Sequence, residues 1–139
     1  MDSHSKKKDY VIQGLSACFS AEKRYKWIIH FGQILPPMNS AYKVPKNLVK
    51  ECQSDLYLHG HKSHDELLHF EADSSSLISK GLAAILVTIY SGEYPEIILR
   101  HPPTFLSDLN LLPTLSIARI QGVHAIYKNI QKKTLQLLI

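Results

Sequence analysis

Gln53-Ser54-Asp55-Leu56-Tyr57-Leu58-His59-Gly60-His61, with Leu67-Leu68-His69-Phe70 after it, is the stretch that decides how this chain folds. In the first run Leu56, Leu58 and Gly60 alternate with Tyr57, His59 and His61, the period-2 pattern of a strand with one apolar and one polar face. The polar residues Lys62 to Glu66 supply a turn, and the second run returns antiparallel, so a hairpin is expected. Asn47 to Val49 is read as a further extended piece, which leaves Cys52 in a loop between two strand-like segments.

Outward from the hairpin the periodicity becomes helical. Ser20 caps a helix with Glu22 in its first turn; Tyr25, Ile28, Ile29, Gly32 and Leu35 form its buried stripe, and Pro36-Pro37 stops it. Upstream, a flexible tail through Lys8 leads to a short helix from Tyr10 to Phe19, with Cys18 as a structural residue on its apolar side. Downstream, Asp73 or Ser74 caps a helix striped by Ile78, Leu82, Ile85 and Ile89 and ended by Ser91-Gly92. Pro95 opens a short helix through Leu99, another is expected at Phe105 to Leu109, and Ser116 caps a final helix carrying Ile120, Val123, Tyr127 and Ile130 on one face. Central strands flanked by helices argue for an α+β fold, a small antiparallel β-sheet covered on one face by helices.

Composition narrows the class. With 139 residues, 45% hydrophobic and 20% charged, the chain suits one globular domain spanning 1–139. The longest apolar stretch, Gly81 to Tyr90, is about half of the roughly 20 residues that cross a bilayer, and Lys6 to Lys8 adjoin no hydrophobic region. Two cysteines make no disulfide framework, so a reducing cytoplasm is the expected location. The formal charge of +4 is spread along the chain without base-reading motifs, which speaks against nucleic acid. Lys43, Lys46 and Lys50 lead directly to Cys52; solvated loop lysines are the commoner explanation of such a group, and steering of an acidic partner with a favoured thiolate is the alternative.

Cys52 has two readings. A lone cytosolic cysteine is commonly a small buried hydrophobe, yet Lys50, Glu51, Gln53, Ser54 and Asp55 surround this one with polar side chains and leave it within reach of solvent or a partner. Arg119 falls in the first turn of the final helix, where the macrodipole is already positive; a nearby anion or a surface ion pair with a carboxylate would relieve that conflict, and Gly122 leaves room for close approach. His59, His61, His64 and His69 crowd the hairpin, but zinc sites need three or four ligands at recognisable spacing, so a solvated sheet face is preferred and no metal is assigned. No phosphate loop, Cys-x-x-Cys pair or Gly-x-Ser-x-Gly elbow is present. A non-catalytic interaction module in which Cys52 is incidental remains an alternative, as does a cysteine hydrolase using His59 or His124.

Dispersed segments add a resemblance. Asn47 with Cys52-Gln53-Ser54, Asp73-Ser74 with Lys80-Gly81, Tyr90-Ser91-Gly92, Pro95-Glu96-Ile97-Ile98-Leu99, and Arg119 with Gly122 occur in an order that resembles the SufE family of sulfur acceptors, from about Ala21 to Lys133. The resemblance implies that Cys52 accepts persulfide sulfur, and that Arg119, Gln53, Ser54, Glu51 and Asp73 stabilise the persulfide or contact a partner. It implies a carrier and activator rather than a complete enzyme, without a cofactor of its own. The donor would be a SufS-like or CsdA-like cysteine desulfurase carrying pyridoxal phosphate, the recipient a SufBCD-like scaffold for iron–sulfur clusters, and the carrier a monomer or weak homodimer. The chain departs from the family pattern with Glu51 in place of the usual glycine, Ser75 in place of a second aspartate, a more polar strand start at Asp55, and Ala118 in a serine position. Glu51 is expected to raise the Cys52 pKa and stiffen the loop.

Overall fold

The computed structural model describes residues 3–52, 54–108 and 115–138; Gln53 and Leu109, which figure in the expectations above, lie outside them. The hairpin forms as β1 (Leu56–Lys62) and β2 (Leu68–Ser74), antiparallel, with Leu58 opposite Ala72 and Gly60 opposite Phe70. Its alternation is realised in burial: Leu56, Leu58, Leu68, Phe70 and Ala72 are buried, whereas Tyr57 and His59 are half-exposed and His61 is exposed. β1 starts at Leu56, where the Val49 amide donates to the Leu56 carbonyl at 2.8 Å; the expected strand start at Gln53 lies outside the described residues. β2 continues past Phe70 to Ser74, since Ala72 extends the apolar face and Glu71 and Asp73 the polar one. The expected strand at Asn47 to Val49 shrinks to a bridge between Leu48 and Tyr57, because Pro45 starts a single 3-10 turn through Asn47.

The largest correction concerns the N-terminus. Residues 3–8, expected as part of a flexible tail, are helical: α1 runs Ser3–Ser16, with His4 only 3% exposed and Lys7 paired with the buried carboxylate of Glu93. His4, Val11 and Leu15 share its buried face, a stripe hidden in the sequence by the intervening Lys6 to Lys8. The helix ends before Phe19, and Cys18 lies half-buried in the connection with its thiol toward the Gly14 carbonyl at 3.4 Å. α2 (Ala21–Gln33) is capped by Ser20, whose hydroxyl accepts from the Lys23 amide at 3.1 Å. Its buried face centres on Ile28, Phe31 and Gly32, leaving Tyr25 outside the stripe at 40% exposure.

α3 (Leu77–Tyr90) is the hub. It begins after β2, so Ser76 caps it instead of Asp73 or Ser74, accepting from the Ser79 amide at 3.3 Å. Its residues are buried almost all round, against the apolar sheet face, α1, α2 and α6 (Ile117–Leu137). α2 and α3 touch backbone to backbone: a Cβ built on Gly81 would lie 2.1 Å from the Ile28 carbonyl oxygen, and one on Gly32 2.7 Å from the Gly81 amide. α4 (Pro95–Arg100) is tied to α6 by the Tyr127 hydroxyl, which donates to the Ile98 carbonyl at 2.8 Å, and α5 (Phe105–Asp108) follows it. The result is α+β, a two-stranded sheet with helices on its apolar face. Among the described residues no helix is long and apolar enough to cross a membrane.

Candidate functional site

Two helix starts and one loop converge at Cys52. The loop is held at its base by Val49, 1% exposed, and the Cys52 amide donates back to the Val49 carbonyl at 3.2 Å in a tight turn. This turn folds the thiol inward. Sγ lies 3.9 Å from the Gly122 carbonyl, in a cavity lined by Ser79, Leu82, Ala118, Arg119, Gly122 and Ile126. The free space there is about 10 Å³, room for about one water and no more.

Ser116 caps α6 by accepting from the Arg119 amide at 3.2 Å, which sets Arg119 in the first turn. Its guanidinium reaches across to α3 and donates to the Ser79 hydroxyl oxygen at 2.6 Å; the Ser54 hydroxyl meets the same oxygen at 3.0 Å. Among the described residues Arg119 makes no ion pair with a carboxylate, so the surface salt bridge weighed from the sequence is replaced by a hydroxyl line, Ser54–Ser79–Arg119, beside the thiol. Ser79, 6% exposed, is the residue that sequence reasoning missed. The available signal was its position three residues after a capping serine, which fixes the direction of its side chain once the cap is placed correctly.

Burial raises the Cys52 pKa, Glu51 raises it further, and the Arg119 guanidinium pulls in the opposite direction without prevailing. The docked sulfur is therefore a neutral thiol at neutral pH, and relieving the burial would bring it back toward the ordinary thiol range. Glu51 acts on Cys52 through its charge while its side chain faces a separate cleft.

Asp73 is not brought to the thiol cavity. It receives Lys43 at 2.6 Å, Lys80 at 3.4 Å and the Ser74 amide at 2.9 Å; burial pushes its pKa up, but these donors outweigh it and the net shift is downward. Its geometry fastens the 3-10 turn near Lys43 and the start of α3 to the hairpin. Gln53 lies outside the described residues.

The histidines of the hairpin stack with Tyr42 across the polar sheet face: Tyr42–His59 ring centroids are 3.7 Å apart, His59–His61 6.2 Å and His61–His69 5.2 Å. Among the described residues no group of three or more His, Cys, Asp or Glu side chains is gathered to hold a metal ion. Among the described residues no histidine lines the Cys52 cavity; His59 faces the cleft that Glu51 lines, and His124 is exposed.

Comparison with known proteins bears on the family and the fold. The family described as "SufE: Fe-S metabolism associated domain" matches residues 9–134. SufE-like protein 1, chloroplastic/mitochondrial, of Arabidopsis thaliana is 36% identical over 114 residues, covering 82% of this chain and 31% of that protein, so the chain spans less than a third of the relative's length. The solution structure of a hypothetical protein from Thermus thermophilus superposes with a TM-score of 0.78 at 20% identity, covering 95% of this chain and 96% of that one, and shares the fold. The chain belongs to the SufE family of domains associated with iron–sulfur metabolism.

Proposed function

We propose that the protein is a sulfur carrier that accepts persulfide sulfur on Cys52 from a cysteine desulfurase, stimulates that enzyme by emptying it, and delivers the sulfur for cluster assembly. The observation that carries this reading is the placement of Cys52: a lone thiol on a tight surface loop, folded into a small cavity at the starts of α3 and α6 beside a guanidinium. The Cys52 thiolate attacks the outer sulfur of the donor's Cys–S–SH, a new S–S bond forms, the donor's own S–S bond breaks, and the donor cysteine leaves as thiolate. The transfer is an exchange and needs no external oxidant.

The two chemical states divide the work. Docked, the sulfur is shielded among Leu82, Gly122 and Ile126 and kept protonated by burial and Glu51. Undocked, it meets the donor. Because the cavity has about 10 Å³ to spare, a second sulfur atom needs the loop to yield locally, and Arg119 with the two helix starts favours the anionic persulfide once it is there. Pyridoxal phosphate belongs to the donor. The recipient is a SufBCD-like scaffold, and the compartment is one that keeps thiols reduced, the cytoplasm by the sequence reading.

The test is intact and peptide mass spectrometry without reductant after incubation with a cysteine desulfurase and cysteine. A thiol-labile gain of sulfur confined to Cys52 and dependent on cysteine is expected. An unmodified Cys52 beside a turning-over desulfurase would leave only an interaction module. Among the described residues no histidine lines the cavity, so nothing there supports the hydrolase alternative.

A further inference from the structure

A cavity of about 540 Å³ lies on the other side of the Cys52 loop, between the loop's base, β1 and the C-terminal half of α6. Lys46, Lys50, Lys132 and Lys133 converge on it against a single carboxylate, Glu51. Among the described residues none of the four lysines forms an ion pair; the lysines that do are Lys7, Lys26, Lys43, Lys62 and Lys80. Lys133 is half-buried and donates to the Asn47 side-chain oxygen at 3.1 Å, and burial together with the neighbouring Lys46 and Lys132 lowers its pKa. Four like charges have been drawn together here against one carboxylate. That arrangement costs folding energy and is relieved by an anionic ligand.

A second observation concerns the backbone. The Leu56 carbonyl accepts from Val49 and so points away from β2; alternation turns the N–H and C=O of Gly60 the same way. Beyond the Leu48–Tyr57 bridge, β1 has no partner on this edge among the described residues, and Gly60 lines the cleft. An open strand edge beside side-chain amides of Asn129 and Gln136 suits an extended peptide, whose main chain needs such partners. Lysines on flexible stems, without an arginine fork, suit scattered carboxylates better than one phosphate.

We propose that this cleft docks an acidic, extended segment of the protein partner that exchanges sulfur with Cys52, laid along the free edge of β1. The inference rests on the carrier reading for the identity of the partner. Docking here, two residues from the thiol at Lys50, holds the loop close to the partner's sulfur and leaves Cys52 itself free to undock.

The experiment titrates the ¹⁵N-labelled full chain with a cysteine desulfurase at low and high salt, and compares it with the Lys46→Glu/Lys132→Glu variant. Both side chains are exposed, so the variant is expected to fold. The amides of Lys46, Gly60, Lys132 and Lys133 should shift or broaden in the wild type. The variant should bind about tenfold or more weakly at low salt, with the difference shrinking as salt rises. Equal affinity and salt slope, absence of desulfurase at the cleft, or inorganic tripolyphosphate occupying it more tightly than the protein would each overturn the proposal. Sulfur loading of Cys52, scored by mass in the same mixtures, separates the two readings. Docking at the cleft with an unmodified Cys52 removes the carrier and keeps the docking site; unimpaired docking and loading in the variant keeps the carrier and removes the site.

Discussion

At Cys52 the competing influences are a burial that favours the neutral thiol, a carboxylate that adds to it, and a guanidinium that opposes both. The fold favours the protonated form, so the docked loop keeps its full stability below the ordinary thiol range and loses it as pH rises through that range toward the raised folded value. Alkylation of Cys52 by iodoacetamide should therefore show an apparent pKa above that of a free thiol. Glu51→Gly should lower it and Arg119→Gln should raise it; an unchanged profile in both would show that neither charge reaches the sulfur. Gly122→Ala isolates the cavity itself. The added methyl meets Sγ at 3.7 Å, an ordinary contact, and removing a helical glycine is favourable by up to about 1 kcal/mol, so stability should be kept or raised. Sulfur loading should nonetheless slow, because the methyl takes space beside the thiol; loading at the wild-type rate would show that the persulfide never occupies this cavity.

At the scale of elements, the crossing of α2 and α3 rests on two glycines. A Cβ on Gly81 would sit 2.1 Å from a backbone oxygen, which no rotamer can relieve, so Gly81→Ala must push the helices apart despite its better helix propensity. The expected loss is at the upper end of about 1–3 kcal/mol, read as a lower urea midpoint at unchanged slope. Ser79 joins elements in a different way: it receives Arg119 from α6 and Ser54 from the loop. Ser79→Ala should release the loop and speed Cys52 alkylation severalfold while costing about 1–2 kcal/mol of stability. Equal alkylation rates would show that Ser54 and Arg119 do not restrain the thiol. Periodicity identified α2, α3 and α6 and the buried faces of α3 and α6, but it put Tyr25 in the stripe of α2 and left Phe31 out, and a glycine within a stripe does not announce which helix it touches.

The whole molecule is closed by α1. Glu93 is buried with a side-chain exposure of 7%, and Lys7 from the opposite end of the sequence is its ion-pair partner. Lys7→Met should cost about 3 kcal/mol by leaving that carboxylate uncompensated, whereas Lys26→Ala, at an exposed pair with Glu22, should stay within about 0.5 kcal/mol. Comparable urea midpoints for the two variants would show α1 to be loosely attached. His4 packs against the rings of Tyr90 and His101; burial lowers its pKa, as do His101 and Lys8, over the opposing effects of the Ile89 backbone and Glu93. The unfolded chain thus binds the proton more readily, and this contribution is present above the ordinary imidazole range and lost as pH falls through it. Melting temperature should drop between about pH 7 and pH 5, less steeply in His4→Phe. His59, lowered mainly by its own burial, leaves part of the slope in place.

The α+β class, the hairpin, the helix caps Ser20 and Ser116 and the placement of Cys52 in a loop were all legible in the sequence. Each follows from residues within a few positions of one another: an alternation, a capping hydroxyl, a proline stop. Only the tertiary structure decided that residues 3–8 are helical, that Asp73 fastens Lys43 and Lys80 and stays away from the thiol, and that Arg119 answers to Ser79 and not to a carboxylate. The pairs Lys7–Glu93, Lys43–Asp73 and Arg119–Ser79 join residues far apart in the chain, through burial and hydrogen bonds that exist only once α1, α3 and α6 have packed. Local pattern determines which elements form; the partners of their polar side chains are settled by packing.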